Sequence, residues 1–266
     1  MTTTSVQLAA QFRATAIEMS HRAGAAHLAS ALSCIDMVSV LYHSVLKVDP
    51  ANPQWADRDR FILSKGHAAT ALYAALAWKG FIKPEDLLTY GKKGSLLEEH
   101  PTPRLAGVET ATGSLGHGLA CGNGMALAAR IQQKDYRTFV LMSDGECNEG
   151  SVWESALFAS ANKLGNLTAF VDFNKWQATG RSREVLGLDP LAEKFRSFGW
   201  HVHEIDGHDH AAILAAVQDT KTDQPTMIVA HTVKGKGVSF MEDDNNWHYR
   251  IPTEEEVQKS KAELGV

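Results

Sequence analysis

The second half of the chain alternates short apolar runs with stretches of helical spacing, and this alternation restricts the fold more than any other feature. Apolar runs occur at 138–142, 167–172, 200–205 and 227–231. Helical stretches separate them at 152–163, 190–198 and 211–218. Strands that alternate with helices in this way pair in parallel through right-handed crossovers. The first two runs are almost continuously apolar, as expected when both sheet faces are covered. The predicted class is therefore α/β, a parallel sheet flanked by helices.

The first half is more helical. Residues 6–19 read as an amphipathic helix. Residues 31–46 read as a second, with Leu32, Ile35, Val38, Leu41 and Val45 near helical spacing. A Pro-bearing linker at 49–59 leads to a short strand at 60–63 and an alanine-rich helix at 68–79. A polar, glycine-rich loop at 91–114 precedes a helix with small surface residues at 115–132. Loops this long inside a compact domain are usually functional. Nothing marks a boundary or a repeat, so 1–266 reads as one domain with its helical N-terminal portion packed on the sheet.

Composition narrows the function. The 266 residues carry a net charge of −5 with no long run of one sign, which argues against a strongly basic nucleic-acid binder. Cys34, Cys121 and Cys147 are scattered without a C-x-x-C, so neither a disulfide framework nor a cysteine-only zinc site is expected. The N-terminus lacks a basic start with a long apolar core, and no stretch approaches 18 consecutive apolar residues. A cytoplasmic location is expected.

In open α/β sheets ligands bind beyond the carboxyl ends of the strands. Two consecutive predicted strands end in Ser143-Asp144-Gly145 and Asp172-Phe173-Asn174, with Asp144 and Asn174 about 30 residues apart. If the strands are neighbours, a carboxylate and an amide oxygen face one crevice. That pair suits a hard divalent cation that also binds phosphate oxygens. Gly145 admits a phosphate close to the backbone, and the following helix points amides at it. By spacing alone, ordinary turn residues are the more frequent reading of the same positions.

The wider pattern is more specific. Asp144-Gly145-Glu146-Cys147-Asn148-Glu149-Gly150, Trp153-Glu154 and Val171-Asp172-Phe173-Asn174 resemble the thiamine diphosphate motif, with Ser143 where a glycine is usual. Three further segments resemble transketolase. They are Asp59-Arg60-Phe61-Ile62-Leu63-Ser64-Lys65-Gly66-His67, the run from Gly107 to Gly118, and His231-Thr232-Val233-Lys234-Gly235-Lys236-Gly237-Val238. The resemblance runs from about Ala23 to Pro252. A full transketolase is more than twice this long, so the chain resembles the N-terminal subunit of a split transketolase.

That resemblance implies transfer of a two-carbon ketol unit from a ketose to an aldose with thiamine diphosphate and Mg2+. It implies metal ligands at Asp144, Asn174 and the backbone carbonyl of Trp176. Cofactor contacts fall on Ser30, His67, Gly113, Ser114, Leu115, Asp144, Gly145, Asn174, Lys234 and His248. Catalytic and substrate-channel histidines fall on His27, His67, His100 and His248. His27-Leu28-Ala29-Ser30 departs from the H-P-G that many members carry, which puts the usual sugar donor in question. His117 stands where a glutamine is common and is expected to be structural. Glu149 and Glu154 follow the metal ligand, and a carboxylate at the Glu149 position lies at the family's subunit contact.

His201, His203, His208 and His210 suggest a zinc site, but Asp206-Gly207-His208-Asp209 reads as a turn and a helix N-cap, so structural roles are expected. The family's glutamate that activates the aminopyrimidine, its aromatic clasp and its contacts to the substrate tail belong to domains absent from this sequence. The expected partner is a C-terminal transketolase subunit in an α2β2 assembly, with the 115–129 helix, the loop before it and the Glu149 segment as contact surface. Another thiamine diphosphate enzyme half (a 2-oxoacid dehydrogenase component or a deoxyxylulose phosphate synthase) and a non-catalytic remnant are the alternatives. The His100-Pro101 loop with Gly113-Ser114-Leu115-Gly116 favours transketolase over the other enzymes. The ketose could carry a phosphate or a sulfonate, or be branched.

Overall fold

The structure is a computed structural model that describes residues 3–266. Helix α1 (Ser5–Ala23) starts at a reciprocal capping box between Thr4 and Gln7 and stops at Gly24, which takes the left-handed conformation. Helix α2 (Leu28–Val40) is buried along its whole length and runs into one π-helical turn at Leu41–Val45. Strand β1 (Arg60–Leu63) leads to α3 (Ala69–Lys79), and α4 (Gly118–Ile131) follows the long loop. The rest alternates: β2 (Thr138–Ser143), α5 (Gly150–Ala161), β3 (Leu167–Phe173), α6 (Ser182–Val185), α7 (Leu191–Ser197), β4 (His201–Asp206), α8 (His210–Gln218) and β5 (Thr226–His231). Helix α9 (Glu254–Leu264), begun by a Thr253–Glu256 capping box, was not expected from the sequence pattern.

The five strands form one parallel sheet in the order β1-β2-β3-β5-β4. Its residues alternate between two cores, as pleating requires. Phe61, Leu63, Phe139, Leu141, Phe170 and Ile228 face the core built with α1, α2, α3 and α8. Ile62, Val140, Met142, Val171, Met227 and Val229 face the core shared with α4, α5 and α7. Gly122 permits the close approach of α4, because a Cβ there would lie 2.5 Å from Val140 Cγ2. Strands β1 and β4 are the two sheet edges, and β4 differs from the others in being only half-buried.

Two expectations change. The 31–46 helix begins at Leu28 and ends α-helical geometry at Val40. The 115–132 helix begins at Gly118, because Gly113 and Gly116 take positive φ and form a turn first. The segment Leu28–Val45 is also long and apolar enough to pass a membrane-span criterion (mean hydropathy 1.4). However, 83% of it is buried inside the fold, where it serves as the core helix.

One ion pair ties these layers together. Lys65, just after β1, and Asp172, on β3, have fully buried side chains in contact. Asp172 also accepts hydrogen bonds from Ser33 Oγ on α2 (2.6 Å), from Thr232 Oγ1 after β5 and from Asn174 Nδ2 (3.2 Å). Lys65 Nζ donates to the Ser30 carbonyl as well (2.8 Å). Burial pulls the ammonium down, but the facing carboxylate outweighs it and the Lys65 pKa ends above its ordinary value. Burial likewise pushes Asp172 up, and Lys65 brings it below its ordinary value. A buried charge stripped of its partner is strongly destabilising. Lys65→Met is expected to cost about 3–5 kcal/mol in urea unfolding. Arg196→Met, which breaks the exposed pair with Glu193, is expected to cost no more than about 1 kcal/mol.

Candidate active site at the carboxyl edge of the sheet

Strands β2 and β3 are adjacent, with Ser143 opposite Asp172, so Asp144 and Asn174 leave the sheet side by side. Asp144 is fully buried. Its Oδ1 accepts from the Gly145 amide (2.8 Å), and its Oδ2 accepts from Lys175 N (2.9 Å) and Ser182 Oγ (2.7 Å). Among the described residues no cationic side chain bonds to it, and burial pushes its pKa up to about 6 despite the Ser182 hydrogen bond. Lys175 has φ 69°, which turns its amide toward Asp144. Asn174 is fixed through its amide nitrogen by Asp172, and its Oδ1 accepts from Trp176 N (3.0 Å). The Trp176 ring is held aside under the Arg181 guanidinium, with Nε1 donating to Asp243. A buried carboxylate with no directly bonded cation, together with an amide oxygen on the neighbouring strand end, is a donor set for a hard cation.

These residues open into a cleft of about 480 Å³ lined by His27, His67, His100 and His248, together with Ser30, Gly113, Leu115, Gly145 and Glu149. Asn148 and Gln177 also line it, and the Asn148 Oδ1 and Gln177 Nε2 atoms are buried without partners. The rings of His27 and His248 lie 5.0 Å apart, and those of His27 and His67 5.5 Å apart. All three imidazoles are held neutral. Burial and then the His100 charge lower His27, burial and then Lys65 hold His67 well below its ordinary value, and burial and then Lys234 bring His248 down to about 3. Lys234 Nζ donates to His248 Nδ1 (3.0 Å), so His248 carries its proton on Nε2. Lys234 itself is brought down to about 8 by burial and by Lys65. Neutral imidazoles can both donate a hydrogen bond and accept a proton.

His27 holds this geometry under strain. It occupies the left-handed region (φ 69°) at the start of α2, where a non-glycine residue is uncommon. Its amide donates to the His248 carbonyl (2.8 Å), and its own carbonyl accepts from Ser30 and Ala31. Gly113, at φ 128°, gives His100 room: a Cβ there would lie 2.6 Å from His100 Cδ2.

Two buried carboxylates outside the cleft organise its walls. Glu146 accepts from Ser64 Oγ, from Gly116 N (2.9 Å) and from Ser143 N (3.2 Å), joining the loops after β1 and β2 to the glycine turn. Burial raises its pKa, and these hydrogen bonds only partly oppose the shift. Asp36, on α2, takes Arg13 from α1, His208 Nδ1 (2.7 Å) and His210 Nε2 (3.1 Å). Burial alone would raise Asp36; the two histidine hydrogen bonds and Arg13 hold it far below the usual carboxylate range. His208 Nε2 in turn accepts from Val233 N (2.9 Å), and Arg13 Nε donates to the Lys236 carbonyl (2.9 Å). The backbone on both sides of Lys234 is thereby clamped.

The structure thus brings together most of the residues singled out in the sequence. Ser114 is exposed outside the cleft lining, and Lys234 stands one layer behind His248, donating to it and to Asn245. His117 occupies the N-cap position of α4 without a side-chain capping bond, and its Nδ1 meets the Leu115 carbonyl (3.1 Å). Asp209 accepts from the first amides of α8, as the N-cap reading expected. Glu149 lies on the cleft rim and Glu154 is exposed on α5. Sequence reasoning gave no role to Lys65, Asp172, Asp36, Arg13 or Glu146. Their signal was present: Asp36 and Asp172 are single charges inside otherwise apolar runs. Gly113→Ala is expected to displace the His100 ring and cost about 1–3 kcal/mol by overpacking. Histidine side-chain NMR together with urea unfolding measures both effects.

Comparison with known proteins agrees with this geometry. The family profile described as "Transketolase, thiamine diphosphate binding domain" matches residues 4–266. The apulose-4-phosphate transketolase subunit from Phocaeicola vulgatus is 41% identical over 250 residues, covering 93% of this chain and 89% of that one. The 6-deoxy-6-sulfo-D-fructose transketolase subunit SqwG of a Clostridium species is 43% identical over 244 residues, covering 91% and 89%. The transketolase crystal structure from Campylobacter jejuni superposes with a TM-score of 0.93 at 32% identity. It covers 100% of this chain, which spans only 43% of that longer one. By sequence across nearly its full length, and by fold, the chain belongs to the transketolase family as its thiamine diphosphate-binding domain.

Proposed function

We propose that the chain is the thiamine diphosphate-binding subunit of a two-chain transketolase that moves a two-carbon ketol unit from a ketose to an aldose. The observation that carries this reading is the convergence of Asp144, Asn174 and four histidines on one cleft. The two relatives matched over 89% of their length are themselves named as transketolase subunits, which supports a separate partner. In this reading the partner supplies the pyrimidine-binding and C-terminal domains and the activating glutamate, and the assembly is α2β2 and cytoplasmic. Glu149 on the cleft rim and the surface of α4 lie at the subunit contact. Residues 1–266 act as one domain. Both relatives carry names of acidic sugars, a phosphate in one and a sulfonate in the other, so an acidic ketose is the proposed donor.

The residues present fit the cofactor and a metal. Among the described residues no cationic side chain bonds to Asp144, and Asn148 and Gln177, whose Oδ1 and Nε2 are buried without partners, line the same cleft. Mg2+ would be held by Asp144, Asn174 Oδ1 and the Trp176 carbonyl. The diphosphate would be received by Ser30, His67, Gly113, Leu115, Gly145 and His248, with Lys234 acting through His248; Ser114, outside the cleft lining, does not belong to this set. Bound thiamine diphosphate would supply the carbon nucleophile that takes up the ketol unit. His27, His67, His100 and His248 hydrogen-bond sugar oxygens as they gain negative charge and accept the proton of a sugar hydroxyl. His248, with its proton fixed on Nε2 by Lys234, presents a donor to the cleft.

Asp144→Ala is expected to weaken Mg2+-dependent thiamine diphosphate binding by more than about 100-fold, beyond the loss of an outer-sphere partner. Isothermal titration checks this, and unchanged affinity would overturn the metal assignment. Cofactor and partner should each tighten the other's binding by the same factor, which analytical ultracentrifugation with and without thiamine diphosphate and Mg2+ measures. Full ketol transfer by this chain purified alone would overturn the shared-site reading.

A further inference from the structure

The four histidines between 201 and 210 separate in the fold. His208 and His210 turn to Asp36. His201 and His203 project from one face of β4, as alternate residues of a strand do. Their ring centroids lie 4.6 Å apart with the planes at 83°. Both reach Asp219, the residue that ends α8. His201 Nε2 lies 3.2 Å from Asp219 Oδ2, and His203 Nε2 lies 3.6 Å from the same oxygen. One ligand atom from each of the three residues falls within 4.8 Å of the other two.

We propose that His201, His203 and Asp219 form a second metal site, for a zinc-class transition cation, which clips the edge strand β4 to the C-terminal end of α8. A tetrahedral ion with bonds of about 2.0–2.1 Å holds its ligand atoms about 3.3 Å apart. The two nitrogen-to-carboxylate separations straddle that value. The two imidazole nitrogens lie within 4.8 Å of each other, and both side chains are about one-fifth exposed at the sheet edge. Two imidazole nitrogens and one carboxylate oxygen suit Zn2+, Ni2+ or Cu2+, whereas Mg2+ prefers oxygen ligands throughout.

The carboxylate is oriented for this role. Asp219 Oδ1 accepts from Lys221 Nζ (2.9 Å), which leaves Oδ2 turned toward the histidines. Such outer partners commonly fix ligating carboxylates. His203 Nε2 at present donates to the Asp219 carbonyl (2.9 Å), and the cation takes the place of that proton. Asp219 is half-exposed, so a water molecule can supply the fourth ligand. His201 pairs with Thr226 at the start of β5. The site therefore lies at the amino end of the sheet, opposite the cleft, and does not depend on the ketol-transfer reading.

The test is a Zn2+ titration of the EDTA-stripped full chain in saturating Mg2+. One equivalent is expected to bind and to raise Tm. His203→Gln and Asp219→Asn should each weaken binding by more than about tenfold and abolish the Tm shift, while Asp144→Ala retains both. Absence of stoichiometric binding, or Zn2+ affinity unchanged in both His203→Gln and Asp219→Asn, would overturn the proposal. So would loss of the equivalent in Asp144→Ala, which would place the ion in the cleft instead.

Discussion

The buried contact between Lys65 and Asp172 is the constraint on which the site depends. It joins residues 107 positions apart and draws in Ser30 and Ser33 from α2 and Thr232 from the loop after β5. Two unit charges removed from water are tolerable only when they are paired and their remaining hydrogen-bonding capacity is met. Four segments must therefore arrive together. The same carboxylate holds the Asn174 amide nitrogen, which leaves Asn174 Oδ1 to accept from the Trp176 amide. The pair that stabilises the sheet thus also aims a donor of the candidate metal corner.

Its charge extends into the cleft. Lys65 contributes to the low pKa values of His67, His248 and Lys234, each of which is depressed first by burial. The outcome is a group of neutral imidazoles beside a carboxylate, Asp144, that burial pushes upward because nothing cationic bonds to it. The same cleft is lined by this carboxylate and by the four histidines. In the proposed reading a divalent cation would neutralise Asp144 and its attached diphosphate would meet hydrogen-bond donors of the same cleft.

The N-terminal helices are part of this machinery. Arg13 on α1 and Asp36 on α2 reach through His208 to the segment that carries Lys234. Lys234 then sets the protonated nitrogen of His248. The strained backbone of His27 exchanges a hydrogen bond with the His248 backbone. Strain of this kind persists only where the surroundings over-determine it, and here α2, the Lys65 pair and the His248 segment all converge on the same few residues.

The amino-acid sequence by itself determined the class of fold and the limits of most strands, and it placed Asp144 and Asn174 at the ends of two consecutive strands that the structure shows to be neighbours. Apolar alternation is a local property, and adjacent strands in a βαβ unit follow from it. The family motifs likewise marked the cleft residues, because glycines and histidines at fixed offsets are legible in one dimension. Only the tertiary structure decided that β5 lies between β3 and β4, that Lys65 pairs with Asp172, and that the histidine run splits between Asp36 and Asp219. A charge within an apolar run shows that a partner must exist, but strand order and helix packing choose that partner. Those are set by the burial of the whole chain rather than by any local period.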